Sequence, residues 1–260
     1  MTRVSCVFFG RCGSQSVDLS VVHAQLSQSR PQLRLELPGR LALSRGTGFV
    51  VADEVLQKRA IWRWIRFLGI QRANRDRINQ LLVDLASEGL DVVRLKGGDP
   101  FIFGRGGEEM AAALAAGLEC EIVPGITAAA GAASCTGIPL THREHAQTLV
   151  FATGHLKDDT VDLDWTALAR PRQTVVIYMG LGALDIICER LIAHGLPAHT
   201  PAAVIHAATT PGQCGVHSTV ARLPAAVREA GIRTPALIMI GEVVALDPGL
   251  LLRRALSATA

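Results

Sequence analysis

The sequence predicts an α/β protein built from two domains, on three observations. From about Arg75 a helical stripe, a strand, a glycine-rich loop and a second helix follow one another, and a shorter strand and a small-residue helix repeat the rhythm. Such βαβα alternation is the signature of a parallel sheet. A second α/β block begins near Gln147, and the glycine loop stands at the carboxyl end of a strand, where open α/β sheets bind ligands.

In the first block Ile78, Leu81, Leu82, Leu85 and Ala86 recur at helical spacing up to Gly89. Asp91 to Leu95 (DVVRL) reads as a buried strand. Gly97, Gly98, Gly104, Gly106 and Gly107 then remove Cβ atoms where the backbone turns and approaches a partner closely. Glu108 and Glu109 open an alanine-rich helix whose dipole they favour, and Gly117 closes it. Cys120 to Val123 is a short strand, and Thr127 caps a helix over 127–134.

The second block offers strands at Gln147–Ala152, Thr174–Met179, Ala202–Ala207, Gly215–Val220 and Ala236–Ile240. Helices are expected at Asp164–Ala169, Leu184–His194 and Leu223–Ala230. Thr209-Thr210-Pro211-Gly212 is a turn too short for a helical crossover, so the strands around it should be antiparallel. The domains are expected to meet near 139–146, giving segments 1–75, 76–140, 141–247 and a tail, 248–260. No regular element is assigned before Arg75, where Ser, Gln and Arg are frequent and Trp62, Trp64 and Phe67 fit no period.

Composition narrows the function. A chain of 260 residues with 49% hydrophobic content, 25 glycines and 12 prolines fits an α/β enzyme. Aromatics at 4% leave few stacking platforms for nucleic acid. The net charge of +3 is uneven: half of the 26 Lys+Arg, but only five of the 23 Asp+Glu, lie in the first 80 residues. These arginines are not clustered, which argues against a nucleic-acid arm. Six scattered cysteines show no zinc spacing and suit a reducing cytoplasm. The opening apolar run is short for a signal peptide and no run reaches membrane length, so a soluble protein is expected. A phosphate loop is excluded because Lys96 precedes the glycines and no G-x-x-x-x-G-K-[ST] run occurs.

LKGGDPFIFGRGGEE (Leu95 to Glu109), VPGITAA (Val123 to Ala129), GIPLTHR (Gly137 to Arg143), TGH (Thr153 to His155), YMG (Tyr178 to Gly180) and PALI with GEVV (Pro235 to Val244) stand in the order found in uroporphyrinogen-III C-methyltransferases. From about Ile78 to Leu246 the chain resembles that branch of the tetrapyrrole methylases. The resemblance implies two α/β domains with S-adenosylmethionine in the cleft between them, a homodimer, and no metal. It implies two successive methylations of uroporphyrinogen III to precorrin-2, on the route to sirohaem and cobalamin. Cofactor contacts would be Gly97, Gly98, Asp99, Ile102, Thr127, Ala128 and Met179, with Ala208 where the family commonly has glycine. Arg105 and Arg143 would grip the substrate carboxylates, and Glu108 would orient Arg105 or help remove the ring proton. His142 and His155 would stand behind these groups.

The front departs from the family. Residues 1–40 contain no G-x-G-P-G-D-P loop of the kind that follows the family's opening strand, Leu37-Pro38-Gly39-Arg40 being at best a remnant, whereas Leu41-Ala42-Leu43 and Val51-Ala52-Asp53-Glu54-Val55-Leu56 resemble the next helix and strand. Lys58 and Ile70 stand where the family has an aspartate and a lysine proposed for proton transfer. A shifted reading frame within 1–75 would explain both the arginine excess and the lost periodicity; the alternatives are a divergent, weakened or inactive methylase and, last, a new front module with its own partner. Other readings are a cofactor- or tetrapyrrole-binding homodimer without turnover and another corrin-ring methylase. No dehydrogenase or ferrochelatase module is expected in these residues.

Overall fold

The computed structural model describes residues 3–8, 48–52, 75–88, 91–154 and 161–246. Contacts divide them into two compact units, one running to Thr127 and the other starting at Ala128. The division falls before the 139–146 connection, because the helix that opens the second unit is bonded to that unit's own sheet, as set out below.

The first unit holds a parallel four-stranded sheet. Its strands are β1 (Arg3–Phe8), β2 (Gly48–Ala52), β3 (Asp91–Lys96) and β4 (Glu119–Ile122), in the order β2-β3-β1-β4. Periodicity gives the front no element, although Val51 to Leu56 resembles a strand and overlaps β2 at Val51 and Ala52, and no strand is expected at 3–8. That expectation is corrected: β1 lies between β3 and β4, with Val4 opposite Val92 and opposite Cys120. Parallel pairing uses main-chain groups alone, so an unfamiliar sequence fills the position provided that it extends. The remnant 37–40, Lys58, Ile70 and His155 lie outside the described residues.

Helix α1 (Arg75–Ser87) turns Leu82 and Ala86 onto Val92 of β3, and Ala113 of α2 (Gly106–Ala115) completes the cluster. Strand side chains alternate, so Arg94 and Lys96 share a face with Val92. Both are buried, and the counter-charge comes from α2. Glu109 accepts from Arg94 Nε at 3.1 Å and from Lys96 Nζ at 2.9 and 2.8 Å. Its own accessibility is 6%. This charge cluster joins the strand end before the glycine loop to the helix start after it. The helix closes as expected, with Gly117 at φ +73° and Leu118 N–H donating to Ala113 O at 3.0 Å.

The second unit contains α3 (Ala128–Thr136), β5 (Thr148–Thr153), α4 (Trp165–Leu168), β6 (Gln173–Tyr178), α5 (Leu184–Ala193), β7 (Pro201–His206), β8 (Cys214–Thr219), α6 (Leu223–Glu229) and β9 (Ala236–Ile240). The sheet order is β5-β6-β9-β7-β8. Only β5 and β6 run parallel, and β7 and β8 form the antiparallel pair expected around the Thr209–Gly212 turn. Asp164 caps α4 by accepting from Ala167 N–H at 2.9 Å.

One sheet face, with Val175, Ile177, Val204, Ile238 and Ile240, packs on Leu184, Ile187, Cys188 and Leu191 of α5 and on Leu223 and Val227 of α6. The other face carries Tyr178, whose hydroxyl accepts from Ala129 N–H at 3.0 Å and so fixes the start of α3. Burial, reinforced by Asp185 and Glu189, pushes the Cys188 thiol up from 9.0 to about 12.

Replacing Glu109 with Gln removes the buried carboxylate that Arg94 and Lys96 share and is expected to lower unfolding stability by about 3–5 kcal/mol in urea titrations. The same change at exposed Glu108 should stay within about 0.5 kcal/mol. Because the folded state raises the Cys188 pKa, its contribution is intact below the unfolded value of 9.0 and is lost as pH climbs toward about 12. Stability of the native chain, compared with Cys188→Ala, should therefore fall by up to about 1.4 kcal/mol per pH unit above 9. Parallel denaturation curves at pH 7, 9 and 10 provide the check.

Candidate functional site

After Lys96 the chain enters a loop whose shape is set by its own backbone. Gly98 has φ +138°, a conformation that L side chains rarely adopt, and open space lies where its Cβ would point. Pro100 O accepts from Gly106 N–H at 2.8 Å, and Asp99 O accepts from Ile102 N–H at 3.3 Å. The loop folds back so tightly that a Cβ on Gly104 or Gly106 would stand 2.7 Å from a carbonyl oxygen. These glycines serve the fold of the loop, whereas Gly97 and Gly98 leave backbone open.

Asp99 does more than form the turn before Pro100. Its Oδ1 accepts from Phe101 N–H at 2.9 Å, which makes an Asx turn. Its Oδ2 accepts from Gly125 N–H at 3.0 Å, tying the glycine loop to the Val123–Thr127 segment. The carboxylate is thereby oriented by two main-chain donors. Half-buried Ile102 lies in the same loop, and buried Thr127 ends the segment that Asp99 holds.

Arg105 sits at the amino-terminal cap of α2 with φ +62°, a left-handed conformation that is uncommon outside glycine. Its Nε donates to Glu108 Oε2 at 3.0 Å, and the two side chains are 42% and 60% exposed. The expected pairing at one face of the helix start is therefore present, and Glu108 holds the guanidinium toward solvent. The two glutamates divide sharply: Glu108 faces outward, and Glu109 is the buried counter-ion. Sequence reading named both for the helix dipole and missed this second role. The alternation of Val92, Arg94 and Lys96 was the available signal, since it places two cations on a core face that needs an anion.

In the second unit Ala128 is the first residue of α3, and the chain neighbours of Met179 and Ala208, namely Tyr178 and Thr209, approach that helix. Met179 follows β6 with φ +54° and is 54% exposed, so it is not a core side chain. Its neighbour Tyr178 grips Ala129 N–H. Ala208 lies between Ala207 at φ +44° and Thr209 at φ +68°, and the Thr209 methyl is 3.2 Å from where a Cβ on Gly131 would stand. Tyr178 is the residue that sequence reasoning overlooked, although it belongs to the YMG motif. It is the only tyrosine in the chain, and that was the one signal available.

The TGH and YMG motifs also meet. A Cβ on Gly154 would come within 2.6 Å of Gly180 Cα, and Gly154 N–H donates to Tyr178 O at 2.8 Å. Side chains are excluded there by close backbone approach. Arg143 is exposed on a turn closed by reciprocal 2.9 Å main-chain bonds between His142 and Ala146. Among non-glycine residues with positive φ, Phe103, Arg105, Met179, Ala207 and Thr209 all stand on loops after the carboxyl ends of β3, β6 and β7. Strain of this kind concentrates at ligand loops.

The sequence profile of the Tetrapyrrole (Corrin/Porphyrin) Methylases matches residues 49–224. Siroheme synthase of Nitrosomonas eutropha is 59% identical over 169 residues, which are 65% of this chain and 36% of that protein. The chain thus spans little more than a third of that relative's length. The crystal structure of uroporphyrin-III-C-methyltransferase from Thermus thermophilus superposes with a TM-score of 0.69 at 33% identity, covering 96% of this chain and 99% of the other. The same enzyme complexed with S-adenosyl homocysteine gives a TM-score of 0.67 at 30% identity, covering 94% and 100%. The profile match over more than half of the chain and the likeness to the Thermus enzyme along nearly its whole length agree with the loops described above: this chain belongs to the tetrapyrrole (corrin/porphyrin) methylases.

Proposed function

We propose that the chain is an S-adenosylmethionine-dependent C-methyltransferase that converts uroporphyrinogen III to precorrin-2, working as a cytoplasmic homodimer. The observation that carries this reading is the loop 97–108, which joins an open glycine backbone, a carboxylate held by two amides and an outward guanidinium within one turn. Support comes from the Thermus enzyme, which shares the fold and is solved with S-adenosyl homocysteine. No helix among the described residues is long and apolar enough to cross a membrane.

The residues suit the donor. Gly97 and Gly98 leave main chain uncovered for close approach, and Asp99 keeps a negative charge facing that loop. Ala128 and Ala208 are small, and Met179 offers an exposed, adaptable thioether wall. When bound, S-adenosylmethionine supplies an electrophilic methyl group on a sulfonium centre. The protein's contribution is alignment: two reactants held in line gain roughly 7–11 kcal/mol from proximity and orientation. Arg105 and Arg143 present guanidinium forks to the carboxylates around the acceptor. Glu108 fixes the Arg105 fork at 3.0 Å, so its main role is orientation.

Isothermal titration with S-adenosylhomocysteine should show binding, and Asp99→Asn should weaken it by roughly tenfold to a hundredfold, since one of two amide donors loses its acceptor. Incubation with S-adenosylmethionine and freshly generated uroporphyrinogen III should give mono- and dimethylated products. Binding without product would leave the reading of a methylase fold that has lost turnover, and absence of binding would end both. Arg105→Lys should raise KM for the tetrapyrrole about tenfold, because a point charge replaces a bidentate fork, while S-adenosylhomocysteine affinity stays unchanged. Light scattering of the purified chain tests the homodimer.

A further inference from the structure

The turn that carries Arg143 also carries a cluster, His142, Glu144 and His145, to which the proposed methyl transfer assigns no direct contact with donor or acceptor. His142, Glu144 and His145 bring one ligand atom each to within 4.8 Å of one another, all inside the second unit. The two imidazole centroids are 4.9 Å apart. The geometry points to a binding site for a divalent first-row transition cation of the zinc class, held by two imidazoles and one carboxylate, with the remaining position open to solvent.

The turn is built rather than loose. Its ends are locked by the paired main-chain bonds between His142 and Ala146, and Ala146 is fully buried. The Arg143 carbonyl accepts from Gln147 Nε2 at 3.2 Å. His145 is oriented from outside the turn: its Nδ1 lies 3.1 Å from Glu242 Oε2, just after β9. Donation of the Nδ1 proton to that carboxylate leaves the Nε2 lone pair for a cation, the arrangement in which an outer carboxylate fixes the tautomer of a metal-ligating histidine.

His142 is the adaptable member. Its Nδ1 accepts from Glu144 N–H at 3.2 Å, so that lone pair is already aimed within the turn, and a cation replaces this one long hydrogen bond. Ligand atoms around tetrahedral zinc stand about 3.3 Å apart, so closure needs shifts of only about 1 Å in side chains that are partly exposed. Two neutral nitrogens with one carboxylate favour zinc, nickel or cobalt over magnesium or calcium, which seek oxygen. Cysteine spacing does not reveal this site, because its ligands are two histidines and one glutamate, and the carboxylate that orients His145 stands 97 residues away.

The test is titration of the full chain with cobalt(II) and zinc(II) chloride in a non-chelating buffer. One cation per chain is expected, with visible d–d bands from cobalt and no sulfur charge-transfer band. His142→Ala and His145→Ala should each weaken binding roughly tenfold or more, and Glu242→Gln by about tenfold to a hundredfold. In the unaltered chain, zinc should shield these two histidines from diethyl pyrocarbonate, read by mass spectrometry, so the test survives a variant that misfolds. A dominant sulfur band, undiminished binding in the doubly substituted chain, shielding confined to other histidines, or no uptake would each overturn the assignment.

Discussion

The buried carboxylate of Glu109, shared by Arg94 and Lys96, is the constraint on which the first unit turns. Burying three charged side chains is unfavourable unless each is paired, and removal of one partner strands the others in a medium that solvates them poorly. The arrangement therefore tolerates few alternatives. It fastens the last residue of β3 to the first turn of α2, so the intervening loop is closed at both ends and its shape is decided by internal bonds. Asp99 extends the same logic across to Gly125, and the outward pairing of Arg105 with Glu108 follows from where α2 must start.

The second unit obtains comparable order by a different route. Its central strands are apolar on both faces, with α4, α5 and α6 covering one face and α3 meeting the other. The Tyr178 hydroxyl supplies a directional bond where apolar packing alone would leave the start of α3 undetermined. Glycines at 154 and 180 permit the close approach of two strand ends, and Met179 is turned outward by its left-handed backbone. The loops after β3, β6 and β7 thus stand on rigid supports in both units.

Most elements were legible in the sequence because local signals agreed. The helical stripe before Gly89, the β-branched strand Gln173–Tyr178 and the glycine at the end of α2 each combine periodicity with a terminator, and the structure follows them within a residue or two. The front of the chain was barely legible, with only the Val51-Ala52 end of β2 anticipated. β1 carries neither a clean alternation nor a known loop after it, and its place in the sheet is set by main-chain pairing to β3 and β4, which side-chain chemistry does not announce. Among the candidate site residues, those in the glycine loop were visible through composition, whereas Glu109 and Tyr178 act through partners 13 to 49 positions away.

What the sequence determined by itself was the α/β class, the order of its elements from Arg75 onward, the position of the glycine loop after β3 and, through six ordered motifs, the family. Those follow from local preferences and from glycine, whose lack of a Cβ is a property of the residue alone. Tertiary structure decided which of two adjacent glutamates is the buried counter-ion, which strand completes the first sheet, where contacts divide the chain, and that the His142 turn meets Glu242. Each is a pairing between groups distant in sequence, and the energy of such a pairing depends on burial and geometry that exist only once the chain has folded.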